Sequence, residues 1–258
     1  MRHTPILVTE ILSHIPLHAI RFLDGTLGHG GHAEAILESR NNPSAFGTSL
    51  SQGSTKYIGV DRDSAMLEKA KGFLSKFGEE MSYVQASYAE MERISQESGV
   101  EEFDWMLLDI GVNMDHFKTA ERGFSIKMDG PLDMRFYVSK GITASDRLFK
   151  VRDKEFRQAL EEYSDFRPGY IEKFLKSYYQ NKTHYKTTKQ FVDRLHIFGM
   201  NDKVIAILFQ VIRIVVNDEL GQLRVFLQIF YKYLTVHGRC CFLTFHSIED
   251  RIVKQAFQ

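Results

Sequence analysis

A glycine- and histidine-rich run shortly after an acidic residue is the feature of this sequence with the clearest potential for chemistry. Gly28-His29-Gly30-Gly31 follows Asp24, which ends a predicted strand, and a predicted helix comes next. Glycines let a ligand approach the backbone, and the first N–H groups of a helix can bind it. Asp61 and Asp109 end two further predicted strands. Since parallel strands end at one edge of a sheet, this pattern predicts a nucleotide-type site, although turn or helix-cap chemistry explains each residue singly.

The order of the glycines argues against the common nucleotide motifs. They do not follow G-x-G-x-x-G, and there is no P-loop Gly-Lys-Ser/Thr. The spacing from the glycine turn to Asp61 exceeds the ~20 residues of the dinucleotide fingerprint, and a surface loop predicted over residues 39–55 explains the excess. An NAD-dependent oxidoreductase therefore remains only a rival that titration with NADH would test. His29 and His32 do not predict a metal site, because no further ligands stand at suitable spacing.

The elements that would position these residues alternate as in a parallel α/β fold. Short apolar runs bounded by turn residues predict strands at residues 20–24, 57–61, 82–86, 103–109 and 239–245. From about residue 115 to 195 the pattern instead gives loops and helices. We therefore expect an α/β domain made of residues 1–114 and 200–258, interrupted at residues 115–199 by a mostly helical insertion.

Because positive and negative side chains balance over the 258 residues, any nucleic-acid partner must be bound by a local basic surface. Thirty-three Lys and Arg match thirty-three Asp and Glu, but residues 147–196 carry twelve basic against seven acidic side chains, with ten Phe or Tyr interleaved. Lys182, Lys186 and Lys189 are the candidates for phosphate contacts, with a solvated face as the alternative. Phe156 and Tyr163 are at helical spacing, which is more typical of core packing than of base stacking.

The remaining composition favours a cytoplasmic protein. The two cysteines, Cys240 and Cys241, are adjacent, so they predict neither a disulfide framework nor a zinc site, and alternation along a strand would place them on opposite faces. The N-terminus has no apolar core of signal-peptide length. The most apolar stretch, residues 204–216, is interrupted by Gln210 and Arg213 and is too short to span a bilayer.

Six segments, in a fixed order, carry a resemblance to a known family. They are LDGTLGHGGHAEAIL, YIGVDRD, LLDIGVNMD, ERGFSIKMDGPLDMR, IRIVVNDELGQL and FHSIEDRIVK. Together they resemble the bacterial small-subunit (16S) rRNA cytosine-N4 methyltransferases (MraW/RsmH-like) over the length of the chain. The resemblance implies a Rossmann-like class I methyltransferase that uses S-adenosylmethionine and acts near the decoding centre. Its partner would be small-subunit rRNA or the assembled small subunit. The oligomeric state stays open, a homodimer included.

The resemblance also assigns roles to positions of this sequence. Asp61 would hold the cofactor's ribose, Tyr88 would lie by the adenine, and Asp109 would lie near the methionine part. The remaining cofactor-contacting positions are Gly30, Gly31, His32 and His116. Residues 113–116 read Asn-Met-Asp-His where the family typically has Ser-Ser-Pro-Gln. This departure leaves a non-catalytic, ribosome-binding relative as the alternative function.

The target atom sets what catalysis requires. Cytosine N4 is a poor nucleophile, so an enzyme must unstack the base, align it with the methyl group and accept hydrogen bonds from the amino group. Asp109 and Asn113 are candidate acceptors, although Asn113 alternatively makes a turn. His246 either approaches the base or hydrogen-bonds a loop carbonyl. Arg135 either faces the active site or forms a structural brace with Asp129 and Asp133. With no cysteine near this site, we expect direct in-line transfer.

Overall fold

The computed structural model of this protein describes residues 5–41 and 54–258, which fall into two compact units. The sheet unit contains the described residues up to 111 and those from 221 onwards, and the inserted unit contains residues 112–220. The first boundary is close to the expected one at residue 114. The second lies about twenty residues later than the sequence pattern predicts, so residues 200–220 belong with the insertion.

The sheet unit is built on five parallel strands in the order β3-β2-β1-β4-β5. This doubly wound, Rossmann-like order places a topological switch point between β1 and β4, where open α/β sheets bind their ligands. The strands are β1 (Arg21–Asp24), β2 (Lys56–Asp61), β3 (Met81–Gln85), β4 (Phe103–Asp109) and β5 (Leu234–Leu243). The α/β class and the parallel sheet expected from the sequence are confirmed.

Both faces of the sheet are covered, which explains the nearly continuous apolar runs of its strands. Along β4, Trp105 and Leu107 pack into one core and Met106 and Leu108 into the other. Cys240 and Cys241 likewise pack against opposite cores, as the alternation along a strand predicts. The loop predicted over residues 39–55 is wrong at its start, because a helix continues to Asn41. Residues 42–53 of that loop lie outside the described residues.

The helices of the described residues are numbered in chain order. They are α1 (Val8–His14), α2 (Gly31–Asn41), α3 (Ser64–Leu74), α4 (Met91–Ser98), α5 (Met114–Lys118), α6 (Ala144–Lys150), α7 (Asp153–Tyr163), α8 (Pro168–Gln180), α9 (Thr188–Ile197), α10 (Asp202–Asn217), α11 (Glu219–Ile229) and α12 (Ser247–Ala256). Across residues 5–41 and 54–258, no helix combines the length and apolarity needed to cross a membrane.

The inserted unit has its own hydrophobic core, formed mainly by helices α6 to α10. Phe156 and Leu160 of α7 are buried in it, as the helical spacing predicts. Ile205, Leu208 and Ile212 of α10 are buried in the same cluster. That packing is why the unit extends beyond residue 199: α10 supplies part of the core of the insertion.

Candidate functional site

The glycine turn after β1 adopts backbone conformations that favour glycine. Gly28 and Gly30 have φ angles of 52° and 76°. A Cβ on Gly30 would stand 2.5 Å from Cδ1 of Leu74, so this position is also closed to a side chain. Helix α2 begins at Gly31. The turn and the first N–H groups of α2 therefore lie at the carboxyl end of β1, as the sequence predicts.

Asp61, at the end of β2, ties this turn to the next strand. Its Oδ2 accepts a hydrogen bond from the Gly28 N–H at 2.9 Å, and its Oδ1 accepts one from the Asp63 N–H at 2.8 Å. A carboxylate oxygen has two lone pairs, so these bonds orient the group and leave it able to accept from a ligand hydroxyl. The ribose contact that the resemblance implies for Asp61 stays a prediction.

Asp24, at the end of β1, is a buried acid whose position in the sequence predicts no role of its own. Its Oδ1 accepts from the Thr26 N–H at 3.1 Å, and its Oδ2 accepts from the Tyr57 hydroxyl at 3.4 Å. Burial raises the pKa of Asp24 to about 7; the charges of Asp109 and Asp61 act in the same direction and His32 opposes them. The available signal was its position at the end of a strand, which it shares with Asp61 and Asp109.

Asp109, at the end of β4, lies beside His32 of α2. One carboxylate oxygen is 3.7 Å from Nδ1 of His32, while Nε2 of the same ring is 2.9 Å from the carbonyl oxygen of Ile6. The backbone N–H of Asp109 donates to the Thr26 hydroxyl at 2.7 Å, which joins β4 to the glycine turn. His32 is thus hydrogen-bonded through Nε2, while its Nδ1 faces Asp109. Three acids from three neighbouring strands lie on one edge of the sheet.

Tyr88 is buried next to Gly25, the first residue of the glycine turn. Its ring packs edge-to-face on Phe226 with centroids 5.6 Å apart. A Cβ on Gly25 would approach the Tyr88 Cβ to 2.9 Å, so the glycine at the start of the turn is what admits Tyr88.

Among residues 5–41 and 54–258, no group of three or more His, Cys, Asp or Glu is arranged to hold a metal ion.

His246 is placed at the N-terminus of α12 and caps it. Nδ1 accepts from the Glu249 N–H at 3.4 Å, and Nε2 is 2.9 Å from a carboxylate oxygen of Glu249. The other Glu249 oxygen accepts from the Phe245 N–H at 3.1 Å. The observed partner of His246 is thus Glu249 rather than the loop carbonyl expected as one alternative. Its approach to a target base stays a prediction.

Two of the predicted catalytic and cofactor-contacting residues lie in the inserted unit. The Asn113 side chain caps α5, with Oδ1 accepting from the Asp115 N–H at 2.9 Å, which is the turn-like contact considered as its alternative. His116 is buried with its ring 5.0 Å from that of Phe124 and 5.3 Å from that of Phe136. The catalytic role of Asn113 and the cofactor contact of His116 stay predictions.

Arg135 is engaged by its own loop. Nε and Nη2 donate to the two carboxylate oxygens of Asp133, each at 2.8 Å. Asp129, the other candidate partner, instead accepts from the Lys189 N–H at 3.0 Å at the start of α9. The structure therefore contains the brace between Asp133 and Arg135, and Asp129 is not part of it. A contact of Arg135 with substrate stays a prediction.

The three lysines predicted to meet phosphates have distinct surroundings. Nζ of Lys189 donates to a carboxylate oxygen of Asp193 at 2.6 Å, and that bond raises the lysine pKa. Lys182 donates to the Val151 carbonyl at 2.9 Å, and burial lowers its pKa. Nζ of Lys186 is 3.0 Å from Nε2 of His184. Lys189 is therefore the one of the three whose charge is already balanced by a directly bonded carboxylate.

Comparison with known proteins gives consistent matches. A family model described as "MraW methylase family" matches residues 1–258. A "Ribosomal RNA small subunit methyltransferase H" from Kosmotoga olearia is 33% identical over 264 residues, which covers 99% of this chain and 84% of that protein. Proteins of the same name from Trichlorobacter lovleyi and Geobacter sulfurreducens are 34% and 35% identical over 99% of this chain and over 80% and 81% of their own lengths. The similarity therefore runs through both units.

Proposed function

The chain belongs to the MraW methylase family, and from that premise we propose that it transfers a methyl group from S-adenosylmethionine to the exocyclic N4 of a cytidine in small-subunit rRNA. The observation that carries the proposal is the edge of the sheet where the glycine turn meets the acids that end β1, β2 and β4. The names of the similar proteins support the substrate class. The N4 atom is what the resemblance of the sequence motifs implies.

The residues at this edge fit S-adenosylmethionine by their chemistry. The cofactor carries positive charge on its ammonium and sulfonium groups, and Asp24 and Asp109 supply carboxyl groups close enough to influence one another. Asp61 offers oriented carboxylate oxygens for ribose hydroxyls. The bound cofactor would supply a methyl group activated by the sulfonium. The glycine turn would let its polar parts approach the backbone.

The protein's own part in the reaction would be to align and to accept hydrogen bonds. The N4 amino group gains positive charge as it attacks, so an acceptor held near it stabilises the transition state. Asp109 is our candidate for that acceptor, because its backbone bond to Thr26 and its proximity to His32 restrict its position. Asn113 and His246 are further candidates, and each would have to act while its side chain caps a helix.

The test is direct transfer of a labelled methyl group. The purified protein would be incubated with labelled S-adenosylmethionine and small subunits that lack the modification, and the product nucleoside identified by mass spectrometry. The Kosmotoga olearia relative would run beside it as the positive control. We expect N4-methylcytidine. Absence of transfer while the control is active would contradict the proposal and leave a cofactor-binding, non-catalytic relative.

The partner and the setting are part of the proposal. We place the reaction in the cytoplasm, with either free small-subunit rRNA or the assembled subunit as partner. Comparing transfer to these two substrates in the same assay would distinguish them. Light scattering of the purified chain would measure whether it forms a homodimer.

Replacing Asp61 by asparagine is expected to weaken the binding of S-adenosylmethionine by about 30-fold. Hydrogen bonds to a charged group contribute roughly 1.5–3 kcal/mol, and an amide would present N–H to one of the groups that now donate to the carboxylate. Isothermal titration calorimetry would measure the change in Kd. Asp165→Asn, at an exposed position of the inserted unit, is the matched control. An unchanged Kd in Asp61→Asn would remove Asp61 from the cofactor site.

A further inference from the structure

An aromatic pair lies partly exposed on the surface of the inserted unit. Phe149, in the last turn of α6, stacks on His184 with ring centroids 4.5 Å apart and planes 11° from parallel. Phe149 is 45% exposed and the His184 side chain 28% exposed. Most large aromatic side chains of this unit are in its core. This half-exposed stack is therefore a candidate binding surface.

The imidazole of this stack is held between opposite charges. Nε2 of His184 is 2.9 Å from a carboxylate oxygen of Asp146 and 3.0 Å from Nζ of Lys186. A single ring nitrogen either donates to Asp146 or accepts from Lys186, and it cannot do both. When Nε2 donates to Asp146, the Lys186 ammonium loses the ring as its acceptor. The contact between Lys186 and His184 therefore keeps an ammonium beside the aromatic pair. When that contact breaks, the ammonium can donate to another acceptor.

A second lysine is anchored at the same end of α6. Val151 caps that helix end, and its carbonyl accepts from Nζ of Lys182 at 2.9 Å and from the Tyr179 hydroxyl at 3.1 Å. Nζ of Lys182 also lies 4.9 Å from the centre of the Tyr179 ring. An ammonium has three donors, so this anchoring fixes the position of the charge and leaves donors for a further partner.

We propose that Phe149, His184, Lys182 and Lys186 form a surface that binds an unpaired nucleotide of RNA. The base would stack on Phe149, and its phosphates would meet the two lysines. Stacking on an exposed aromatic ring with nearby cations is how proteins hold single-stranded nucleic acid without reading its sequence. That the nucleic acid is RNA rests on the proposed function. The nucleotide bound here would be a different one from the methylated cytidine.

The experiment measures binding separately from methyl transfer. Affinity for a fluorescein-labelled, unstructured single-stranded RNA would be measured by fluorescence anisotropy over a series of salt concentrations. We expect Phe149→Ala to weaken binding by about tenfold and Phe149→Trp to retain it, as loss of one base stack predicts. Lys186→Gln should lower the slope of log K against log salt by about 0.7, the value for one phosphate contact on a single strand.

The sheet unit offers a matched pair of controls. Nζ of Lys232 lies 6.0 Å from the ring centre of Tyr231, and both side chains are exposed. Tyr231→Ala and Lys232→Gln should leave both the affinity and the salt slope unchanged. Circular dichroism would verify that Phe149→Ala is folded, and Lys186→Gln tests the same surface without removing an aromatic ring.

The outcomes separate this proposal from the enzymatic one. RNA affinity that is unchanged in both Phe149→Ala and Lys186→Gln, or absent in the unmodified protein, would overturn the surface even if cytidine is methylated. Affinity that depends on Phe149 and Lys186 would support the surface even if no methyl group is transferred. If Phe149→Ala lost no more affinity than the control Tyr231→Ala, the proposed surface would also be overturned, because the effect would not be specific to Phe149.

Discussion

Replacing Asn217 by alanine is expected to lower the free energy of unfolding by about 4 kcal/mol. The side chain is buried at the end of α10, where Oδ1 accepts from the Phe136 N–H at 2.7 Å and Nδ2 donates to the Met134 carbonyl at 2.7 Å. Nδ2 also donates to the Arg213 carbonyl at 3.0 Å. Alanine would remove the partners of a buried donor and a buried acceptor, at roughly 1–3 kcal/mol each, and leave a small cavity.

Backbone strain at Met134 limits this expected loss, because part of the strain is released when Asn217 is removed. Met134 has a φ angle of 60°, a left-handed conformation that a fully buried, long side chain rarely adopts. Such a conformation costs of order 1–3 kcal/mol and persists only where the surroundings impose it. Asn217 and Arg122, whose carbonyl accepts from the Met134 N–H at 3.0 Å, are what impose it here. Without Asn217, the loop that carries Arg135 is expected to relax.

Urea denaturation followed by circular dichroism would measure this effect. Asn181→Ala is the matched control, because its amide donates to the Ser177 carbonyl at an exposed helix end. That variant should change the free energy of unfolding by no more than about 0.5 kcal/mol. If Asn217→Ala were as stable as Asn181→Ala, the Met134 conformation would have to be imposed by other contacts.

The bond between Asn217 and Phe136 also shows where prediction from the sequence ends. The two residues are 81 positions apart, and no periodicity or turn signal links them. The strand β4, by contrast, was predicted at its observed bounds, because a short and mostly apolar segment between polar segments favours a strand buried on both faces. Local patterns thus located the strands, while pairings of distant side chains emerged only from the folded chain.

Two errors have the same origin. The β5 strand begins at Leu234 rather than residue 239, and its register against β4 shifts between Phe103 and Trp105, where β5 has an irregular stretch. Helix α10 is apolar on much of its surface, so its sequence does not tell which core it joins, and its assignment to the sheet domain failed. Irregular pairing and the choice between two cores are tertiary properties that a local pattern does not encode.

The candidate site was predictable to the extent that topology alone places it. The rule that acids ending parallel strands meet at one edge located Asp61 and Asp109. It did not predict how deeply Asp24 is buried, since burial depends on the Tyr57 ring and on the turn above it. The same rule did not predict that the side chains of Asn113 and His246 cap helices. A polar residue before a helix gives the same sequence pattern whether it caps the helix or takes part in catalysis.

The burial of Asp24 leads to the second large expected effect, a dependence of stability on pH. The pKa of this carboxyl is about 7 in the folded protein, raised first by burial, against an ordinary value of 3.8 when unfolded. Between these values the folded state holds a proton that the unfolded state has released. Stability therefore falls as pH rises from about 4 to 7, by up to about 1.4 kcal/mol per pH unit, and the penalty is complete above pH 7.

Asp24→Asn is expected to remove this dependence. An amide resembles the protonated carboxyl, because its oxygen can accept from the Thr26 N–H and its nitrogen can donate to the Tyr57 hydroxyl oxygen. The variant should match the unmodified protein near pH 4 and exceed its free energy of unfolding by about 4 kcal/mol at pH 8. Urea titrations over this pH range would measure the difference. A constant difference across the range would mean that Asp24 does not take up a proton on folding.

Asp104 provides a control of opposite sign. Burial would raise the pKa of its carboxyl, but the Arg21 side chain and the N–H groups of Ile20 and Arg21 donate to it and hold the pKa below its usual range. Its contribution to stability is present at neutral pH and is lost as pH falls through the folded-state pKa. Asp104→Asn should therefore be less stable than the unmodified protein at pH 8, with the difference shrinking in acid. Opposite slopes in the two variants would show that burial, and not a property shared by the acids of the sheet, sets the behaviour of Asp24.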